Sequence, residues 1–286
     1  GWLLMGLPGA VYLSGLVEAW LAIGLTIGAW INWKIVAPRL RAYTEVSHNS
    51  ITIPSFLDNR LKGNTRMLRV ISGVIILVFF TFYVSSGMVA GGVFFQSSFG
   101  TSYLTGMLLV AGVTVLYTFF GGFLGASYTD LFQGLLMLGA LLLVPIVGIF
   151  LVGGPGEMAT RIENVNPDAL SLFAGGTAVG IISSLAWGLG YFGQPHIIVR
   201  FMALRTPADA KSGRRIGIGW MILTVLGAIG TALVGMAYYG NRPGQEPTDP
   251  EAIFLDMSQV LFHPLIAGLV LAAVLAAVMS TISSQP

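Results

Sequence analysis

Apolar residues run along the chain in stretches of about 20 or more, separated by short polar segments. A stretch of roughly 20 apolar residues is long enough for a helix to cross the hydrocarbon core of a membrane. No alternation with the period of two that is typical of strands competes with this pattern, so we predict an all-α polytopic membrane protein. The predicted spans are 11–36, 68–95, 102–120, 131–153, 174–199, 216–239 and 264–283, after a shorter apolar piece at 1–7.

Two further segments are predicted to be short amphipathic helices on the membrane surface. They are "IPSFLDNRL" at 53–61 and "PEAIFLDMSQVLF" at 250–262.

The composition agrees with a membrane location. The chain is 55% hydrophobic and 9% charged, with a mean hydropathy of +0.82, which excludes a soluble domain and makes the lipid bilayer its main partner. The net charge of +2 gives no reason to expect a nucleic-acid partner. Because both ends of the sequence lie in or beside apolar runs, we expect an internal piece of a longer chain.

The basic residues predict the orientation. Of the 14 Lys and Arg residues, 12 fall around two connections that four predicted spans separate. Cytoplasmic loops carry the excess of Lys and Arg, so we expect loops 37–67 and 200–215 in the cytoplasm of a multi-pass plasma-membrane protein. The acidic connections near 154–173 and 240–258 then lie outside. The basic residues are Lys34, Arg39, Arg41, Arg60, Lys62, Arg66 and Arg69 in one group and Arg200, Arg205, Lys211, Arg214 and Arg215 in the other.

Two apolar segments contain glycine and proline at membrane depth, "GWLLMGLPGA" at 1–10 and "WGLGYFGQPH" at 187–196. Counted along the chain they are helices 1 and 6, and interrupted helices five apart are typical of an inverted repeat of five helices. In such transporters the paired interruptions form the substrate site. The alternative is that the glycines allow close helix packing and the proline makes a kink.

Several side chains near these segments are candidates for a functional role. Trp187 and Tyr191 are predicted to lie in the middle of a span, four residues apart and beside glycines, whereas Trp20, Trp30 and Trp33 fit the interfacial belts. Glu18 is predicted to lie well inside helix 2, where a carboxylate is a functional candidate. His196 has no second metal-binding side chain at ligand spacing, so we expect no metal there.

Several motifs resemble the sodium:solute symporter family, in the same order and over essentially the whole chain. They are "GWLLMGLPGAVYLSG", "LGAWINWKIVAPRLR", "LYTFFGGFLGASYTD", "SSLAWGLGYFGQPHIIVRFMA" and "VLAAVMST". The resemblance implies the leucine-transporter-type inverted repeat. Residues 1–286 would form one transmembrane transporter domain truncated at both ends, with core helices 1 (its outer half) to 8. Residues 1–153 would belong to the first repeat and 174–286 to the second.

The resemblance is strongest to family members that import L-proline with sodium, and it implies such transport by alternating access. Proline offers an apolar ring, a carboxylate and a secondary ammonium, which aromatic faces and free backbone N–H groups at glycines can recognise. The residues that the resemblance assigns to proline binding are Trp2, Gly6, Tyr83, Trp187, Tyr191 and Pro195.

For sodium, the resemblance implies the Ala277 carbonyl and the Ser280 and Thr281 hydroxyls as ligands, with others upstream of Gly1. These residues and Ala273 and Ser284 lie on or beside one face of the last span. Asp130 is implied to act on the sodium release path. The alternatives are hydroxyls that bond back to their own helix and, for Asp130, a plain N-cap at the start of helix 5.

Two other functions remain open from the sequence. One is sodium symport of another small solute, and the other is a symporter-like sensor module joined to a histidine kinase. We expect no enzyme, since no nucleophile and base are suitably spaced. The sequence does not determine the oligomeric state.

Overall fold

The computed structural model describes residues 2–61 and 65–284, and only the backbone of Phe123. Lys62 of the first basic group, positions 63 and 64, and both chain ends lie outside the described residues. In the described part every regular element is helical, which confirms the predicted all-α class. The helices are α1 Gly6–Ser14, α2 Ala19–Ile31, α3 Ala37–Val46, α4 Ile53–Leu61, α5 Met67–Phe99, α6 Tyr103–Leu151, α7 Pro155–Val165, α8 Ala178–Ala186, α9 Pro195–Met202, α10 Asp209–Tyr239, α11 Ile253–Leu261 and α12 Pro264–Ser283.

Six helical stretches in the described residues are long and apolar enough to cross a membrane. They correspond to six of the seven predicted spans. The predicted span at 174–199 is instead a short apolar helical stretch, Ala178–Phe192, followed by α9. The six stretches are Leu16–Val46, Met67–Phe99, Tyr103–Gly122, Leu124–Leu151, Asp209–Tyr239 and Pro264–Ser283.

Both predicted surface helices are present, as α4 and as the 3-10 turn Pro250–Ala252 that leads into α11. Their position at the membrane surface stays a prediction. Helix α7 lies within the connection 154–173 and was not predicted, although Pro155 at its first position is a favourable helix start.

The predicted start of helix 2 at residue 11 is wrong. Residues 11–14 end α1, and Gly15 turns the chain with φ 86°, a conformation that glycine adopts readily. A Cβ at Gly15 would lie 2.6 Å from the carbonyl oxygen of Ala169, which accepts a 2.7 Å hydrogen bond from the Leu16 amide. Glu18 therefore lies in the first turn of the span and not well inside helix 2, near the positive end of the helix dipole.

The start of helix 5 also differs from the prediction. Helix α6 is interrupted at Gly122, where φ is 54°, and its second half begins at Leu124 instead of residue 131. Asp130 consequently lies in the second turn of a helix, so the N-cap interpretation of Asp130 is wrong.

The chain forms two compact units. The first comprises residues 1–20, 85–182 and 222–284. Within it α12 packs against α6, and α11 packs against both helices. Its buried core includes Leu141, Val144, Val274 and Val278.

The second unit comprises residues 21–84 and 183–221. Helix α3 packs against α9, and Ala37, Phe201 and Ala210 form a buried cluster there. The indole of Trp33 packs against this cluster.

Candidate substrate and sodium sites

The predicted interruption at 187–196 is present in the second unit. Helix α8 ends at Ala186, a 3-10 turn covers Trp187–Phe192, and α9 begins at Pro195. Gln194 is extended, with φ −80° and ψ 113°, so the chain changes direction just before α9. Proline suits the first helical position because its missing N–H would have no partner there.

The 3-10 turn changes the geometry that the sequence predicted for Trp187 and Tyr191. A 3-10 helix has three residues per turn, so side chains four residues apart lie about 120° apart around the axis. The two side chains therefore do not share one face of this turn. The Trp187 side chain is 57% exposed, whereas the Tyr191 hydroxyl donates to the Met221 sulfur at 3.9 Å.

The carbonyl group of Tyr191 is paired with a side chain from the helix α2 span. Asn32 is fully buried in the π-helical turn Asn32–Val36, and its Nδ2 donates a 2.8 Å hydrogen bond to the Tyr191 oxygen. Its Oδ1 is buried without a partner among the described residues. An irregular backbone at membrane depth must find such partners inside the protein.

Asn32 was not among the functional residues predicted from the sequence. The signal that could have found it is a lone amide within the apolar run "GAWINWKIV". A polar side chain at such a position is costly unless it has a specific partner.

The glycines of the interruption serve different purposes. A Cβ at Gly188 would lie 2.2 Å from the Gly24 carbonyl oxygen, and one at Gly28 would lie 2.1 Å from the Gly188 oxygen. The close-packing alternative therefore holds for Gly188, which lies backbone to backbone against helix α2. A Cβ at Gly190 would meet only the Gln194 side chain, at 3.8 Å, so Gly190 retains open space.

Tyr83 lies beside the start of α9. Its ring centroid is 5.8 Å from that of His196, and Phe80 lies 5.7 Å from His196, so the three rings form one cluster. The structure thus places Tyr83 beside His196, one residue after the buried Pro195, at the end of the interruption that contains Tyr191.

Trp2 and Gly6 are neighbours in the first unit. Helix α1 begins at Gly6, and the Trp2 carbonyl accepts a 2.8 Å hydrogen bond from the Leu7 amide. A Cβ at Gly6 would lie 3.0 Å from the Trp2 Cδ1 atom, so the indole covers this glycine. The six predicted proline-binding residues are therefore divided, with these two in the first unit and the other four in the second.

The residues predicted for sodium lie in the first unit. Ser280 donates a 2.6 Å hydrogen bond to the Asp130 carboxylate, which is the short, charge-assisted kind. Thr281 donates to the Ala277 carbonyl at 2.8 Å, and Tyr117 donates to the Met279 carbonyl at 3.2 Å. Asp130 and Ser280 are thus direct partners, although they were predicted to act at different steps, sodium release and sodium binding.

Helix α1 packs near two acidic residues of the first unit, Glu251 and Asp256. A Cβ at Gly9 would lie 3.1 Å from the Glu251 backbone, so α1 packs closely against the turn before α11. The Tyr239 hydroxyl donates to the Asp256 carboxylate. Burial raises the pKa of Asp256, and burial together with the charge of Asp249 raises the pKa of Glu251.

A comparison with known families settles the classification. The sequence profile of the sodium:solute symporter family matches residues 1–286. The chain belongs to this family. The resemblance described in the sequence analysis is therefore confirmed.

The chain is similar to several curated bacterial transporters. It is 59% identical over 285 residues to the high-affinity proline transporter PutP of Bacillus subtilis, covering 100% of this chain and 60% of that protein. It is 54% identical to the osmoregulated proline transporter OpuE of the same organism, covering 100% and 58%. It is 52% identical to a sodium/proline symporter of Staphylococcus aureus, covering 100% and 55%. The chain thus spans at most about 60% of the length of these relatives.

A solved structure shares the fold. It is the substrate-bound outward-open state of a Na+-coupled sialic acid symporter, with a TM-score of 0.79 and 19% sequence identity. The match covers 99% of this chain and 61% of the solved one. It confirms the predicted leucine-transporter-type fold class.

Proposed function

We propose that this chain forms part of a secondary transporter that imports L-proline together with Na+ by alternating access. The observation that carries the proposal is the interruption between α8 and α9, with Tyr83 and Tyr191 beside it. Three curated relatives, each matched over the whole length of this chain, are named as proline transporters. All three relatives are named as transporters. This supports a transport function for this chain over enzymatic catalysis and over a sensor module joined to a kinase.

Proline recognition follows from the chemistry of the interruption. The aromatic rings of Trp2, Tyr83, Trp187 and Tyr191 supply faces for the pyrrolidine ring and for its cationic nitrogen. The open space at Gly190 lets the ligand approach the backbone. The start of α9 at Pro195 presents the positive end of a helix dipole, which favours the carboxylate.

Sodium is the co-transported substrate in this proposal. The Ala277 carbonyl and the hydroxyls of Ser280 and Thr281 are hard oxygen ligands on one helix, suited to a hard cation. The charge of Asp130 beside Ser280 attracts the ion on its way to or from these ligands. Coupling requires that sodium and proline each raise the affinity of the protein for the other.

The same proposal includes the arrangement in the membrane. Residues 1–153 and 174–286 belong to two inverted repeats of one transporter domain. Loops 37–67 and 200–215 lie in the cytoplasm, as the excess of Lys and Arg indicates.

A competition experiment tests the substrate. The full-length protein is expressed in cells that lack their own proline uptake, and sodium-driven uptake of labelled proline is measured with unlabelled solutes in excess. We expect unlabelled proline and close cyclic analogues to compete, and glycine betaine, sialic acid and acyclic amino acids to leave uptake unchanged. Competition by an unrelated solute as strong as that by proline would favour a different substrate.

A further inference from the structure

Two cationic side chains from different helices converge on one tryptophan in the second unit. The Lys34 Nζ lies 4.5 Å from the centroid of the Trp30 ring, and the Arg214 guanidinium carbon lies 5.7 Å from it. The Trp30 side chain is 41% exposed, so the group is open to a ligand from outside the protein.

Neighbouring packing holds this group in place. The Trp33 ring stands edge-on to Phe201 at 4.6 Å, and a Cβ at Gly213 would lie 2.7 Å from Trp33 Cζ3. Only glycine allows this approach, which fixes the start of α10 against Trp33. Arg214, the next residue, is thereby held beside Trp30. The position of the Arg214 backbone beside Trp30 is therefore a consequence of packing.

The two charges lack counterions in the part of the chain that the structure describes. Arg41 pairs with Glu45 and Arg205 with Asp209, whereas neither Lys34 nor Arg214 forms an ion pair with any described carboxylate. Two like charges beside one ring repel each other, and an anion between them would relieve this repulsion. Phosphate oxygens accept charge-assisted hydrogen bonds from both ammonium and guanidinium groups.

The depth of the group matches the membrane interface. Lys34 lies 16 residues after Glu18 in one helical span, which corresponds to about 24 Å at the α-helical rise. The apolar stretch of α10 begins at Ile216, two residues after Arg214. Tryptophan and snorkelling cations are typical of the level of lipid headgroups.

An apolar strip continues from the cations toward the membrane interior. Ile27 is 51% exposed and lies about one turn from Trp30 on the same helix face. Ile216, on α10, is also exposed. A soluble anion would gain nothing from this strip, whereas the acyl chains of a lipid would bury it.

We propose that Lys34, Arg214 and Trp30 form a binding site for the phosphate of an anionic phospholipid of the phosphatidylglycerol class, whose acyl chains lie along Ile27. The site is independent of the transported solute, since none of its residues belongs to the proposed proline or sodium sites.

The test compares bound lipids in charge-neutralising variants. The full-length protein is purified from an equal mixture of phosphatidylglycerol and phosphatidylcholine, and retained lipid is counted by native mass spectrometry. We expect Lys34→Gln and Arg214→Gln each to reduce retained phosphatidylglycerol by roughly fivefold, the usual contribution of one cation near an anionic lipid surface. Lys34→Arg should retain it. Lys211→Gln, an exposed cation one turn before Arg214, is the matched control and should have no effect.

Two results would overturn the proposal. An equal loss of retained phosphatidylglycerol in all three Gln variants would indicate diffuse charge attraction. No loss in any of them would show that Lys34 and Arg214 do not bind this lipid. Thermal stability in pure phosphatidylcholine checks folding, and we expect the same Tm for the variants and the unchanged protein. Added inorganic phosphate should not displace the lipid; displacement at millimolar concentration would assign the site to a soluble anion instead.

Discussion

The side-chain amide of Asn32 donates a 2.8 Å hydrogen bond to the carbonyl oxygen of Tyr191, which joins a π-helical turn to a 3-10 turn. Both turns are departures from the α-helix within apolar segments. The bond gives one freed carbonyl a partner, which is how an irregular backbone persists at membrane depth. It also fixes the position of the residue that we assign to proline binding.

Asn32→Leu should weaken proline binding while sodium dependence changes less. Loss of the donor leaves the Tyr191 carbonyl unsatisfied at a cost of about 1–3 kcal/mol, which shifts the turn that carries the ring. We expect the KM for proline in uptake assays to rise about fivefold or more. Thr26→Val is the control, because Thr26 on the same helix bonds only to its own backbone. A wild-type KM in Asn32→Leu would contradict a positioning role.

Trp187→Ala should reduce proline affinity and leave expression intact. The ring is 57% exposed, so its removal leaves little cavity, but the change deletes an aromatic face worth about 1–2 kcal/mol, roughly 5- to 30-fold in affinity. Phe192→Ala, in the same turn, is the matched control and should reduce proline affinity less. Tyr83→Phe keeps the ring and should also be milder. If proline affinity is unchanged in Trp187→Ala, the assignment of this residue to the site is wrong.

Two substitutions of Thr281 distinguish a sodium ligand from a residue that only packs. Thr281→Ser keeps the oxygen and should retain most transport, whereas Thr281→Val keeps the shape and should raise the sodium concentration for half-maximal uptake. Proline affinity at saturating sodium should change much less. The hydrogen bond to Ala277 is compatible with either role, and a purely structural hydroxyl predicts that valine is tolerated. Normal sodium dependence in the valine variant would therefore exclude Thr281 as a ligand.

Ser280 and Asp130 should act as one unit in sodium binding. Ser280→Ala and Asp130→Ala each remove the same 2.6 Å hydrogen bond, so their effects on sodium affinity should be non-additive. A double-mutant cycle on sodium-dependent proline binding measures this. We expect the double variant to be little worse than the more severe single variant. Fully additive effects would show that the two residues serve sodium independently.

Cysteine labelling tests the proposed orientation. The sequence contains no cysteine, so the background from this segment is zero. Ser212→Cys should react with an impermeant reagent only from the cytoplasmic side, and Asn241→Cys only from outside. Asn241 is exposed and avoids the left-handed backbone of nearby Gly244. Labelling from the opposite sides would reverse the topology.

The hydrophobic pattern was sufficient to predict most helices, because burial in lipid requires long apolar runs. It could not predict where those runs bend. The turn at Gly15 depends on close contact with Ala169, and the early start at Leu124 depends on the positive φ of Gly122. Neither contact is encoded in hydropathy, and the positions predicted for Glu18 and Asp130 within their helices were wrong as a result.

The candidate site was predictable in composition but not in geometry. Glycine and proline spacing located the interruption, but it did not predict the 3-10 turn between Trp187 and Tyr191 or the close packing of Gly188 against Gly24 and Gly28. Asn32 was missed because its partner is 159 residues away in the chain. Long-range pairs of this kind have no signature in a single sequence.

The most direct test of sodium-coupled proline transport is uptake of labelled proline by the full-length protein reconstituted in vesicles. An inward sodium gradient is compared with an equal potassium gradient. We predict accumulation above equilibrium with sodium and only slow leakage with potassium. Equal accumulation under both gradients, or none under sodium with correctly folded protein, would contradict the account.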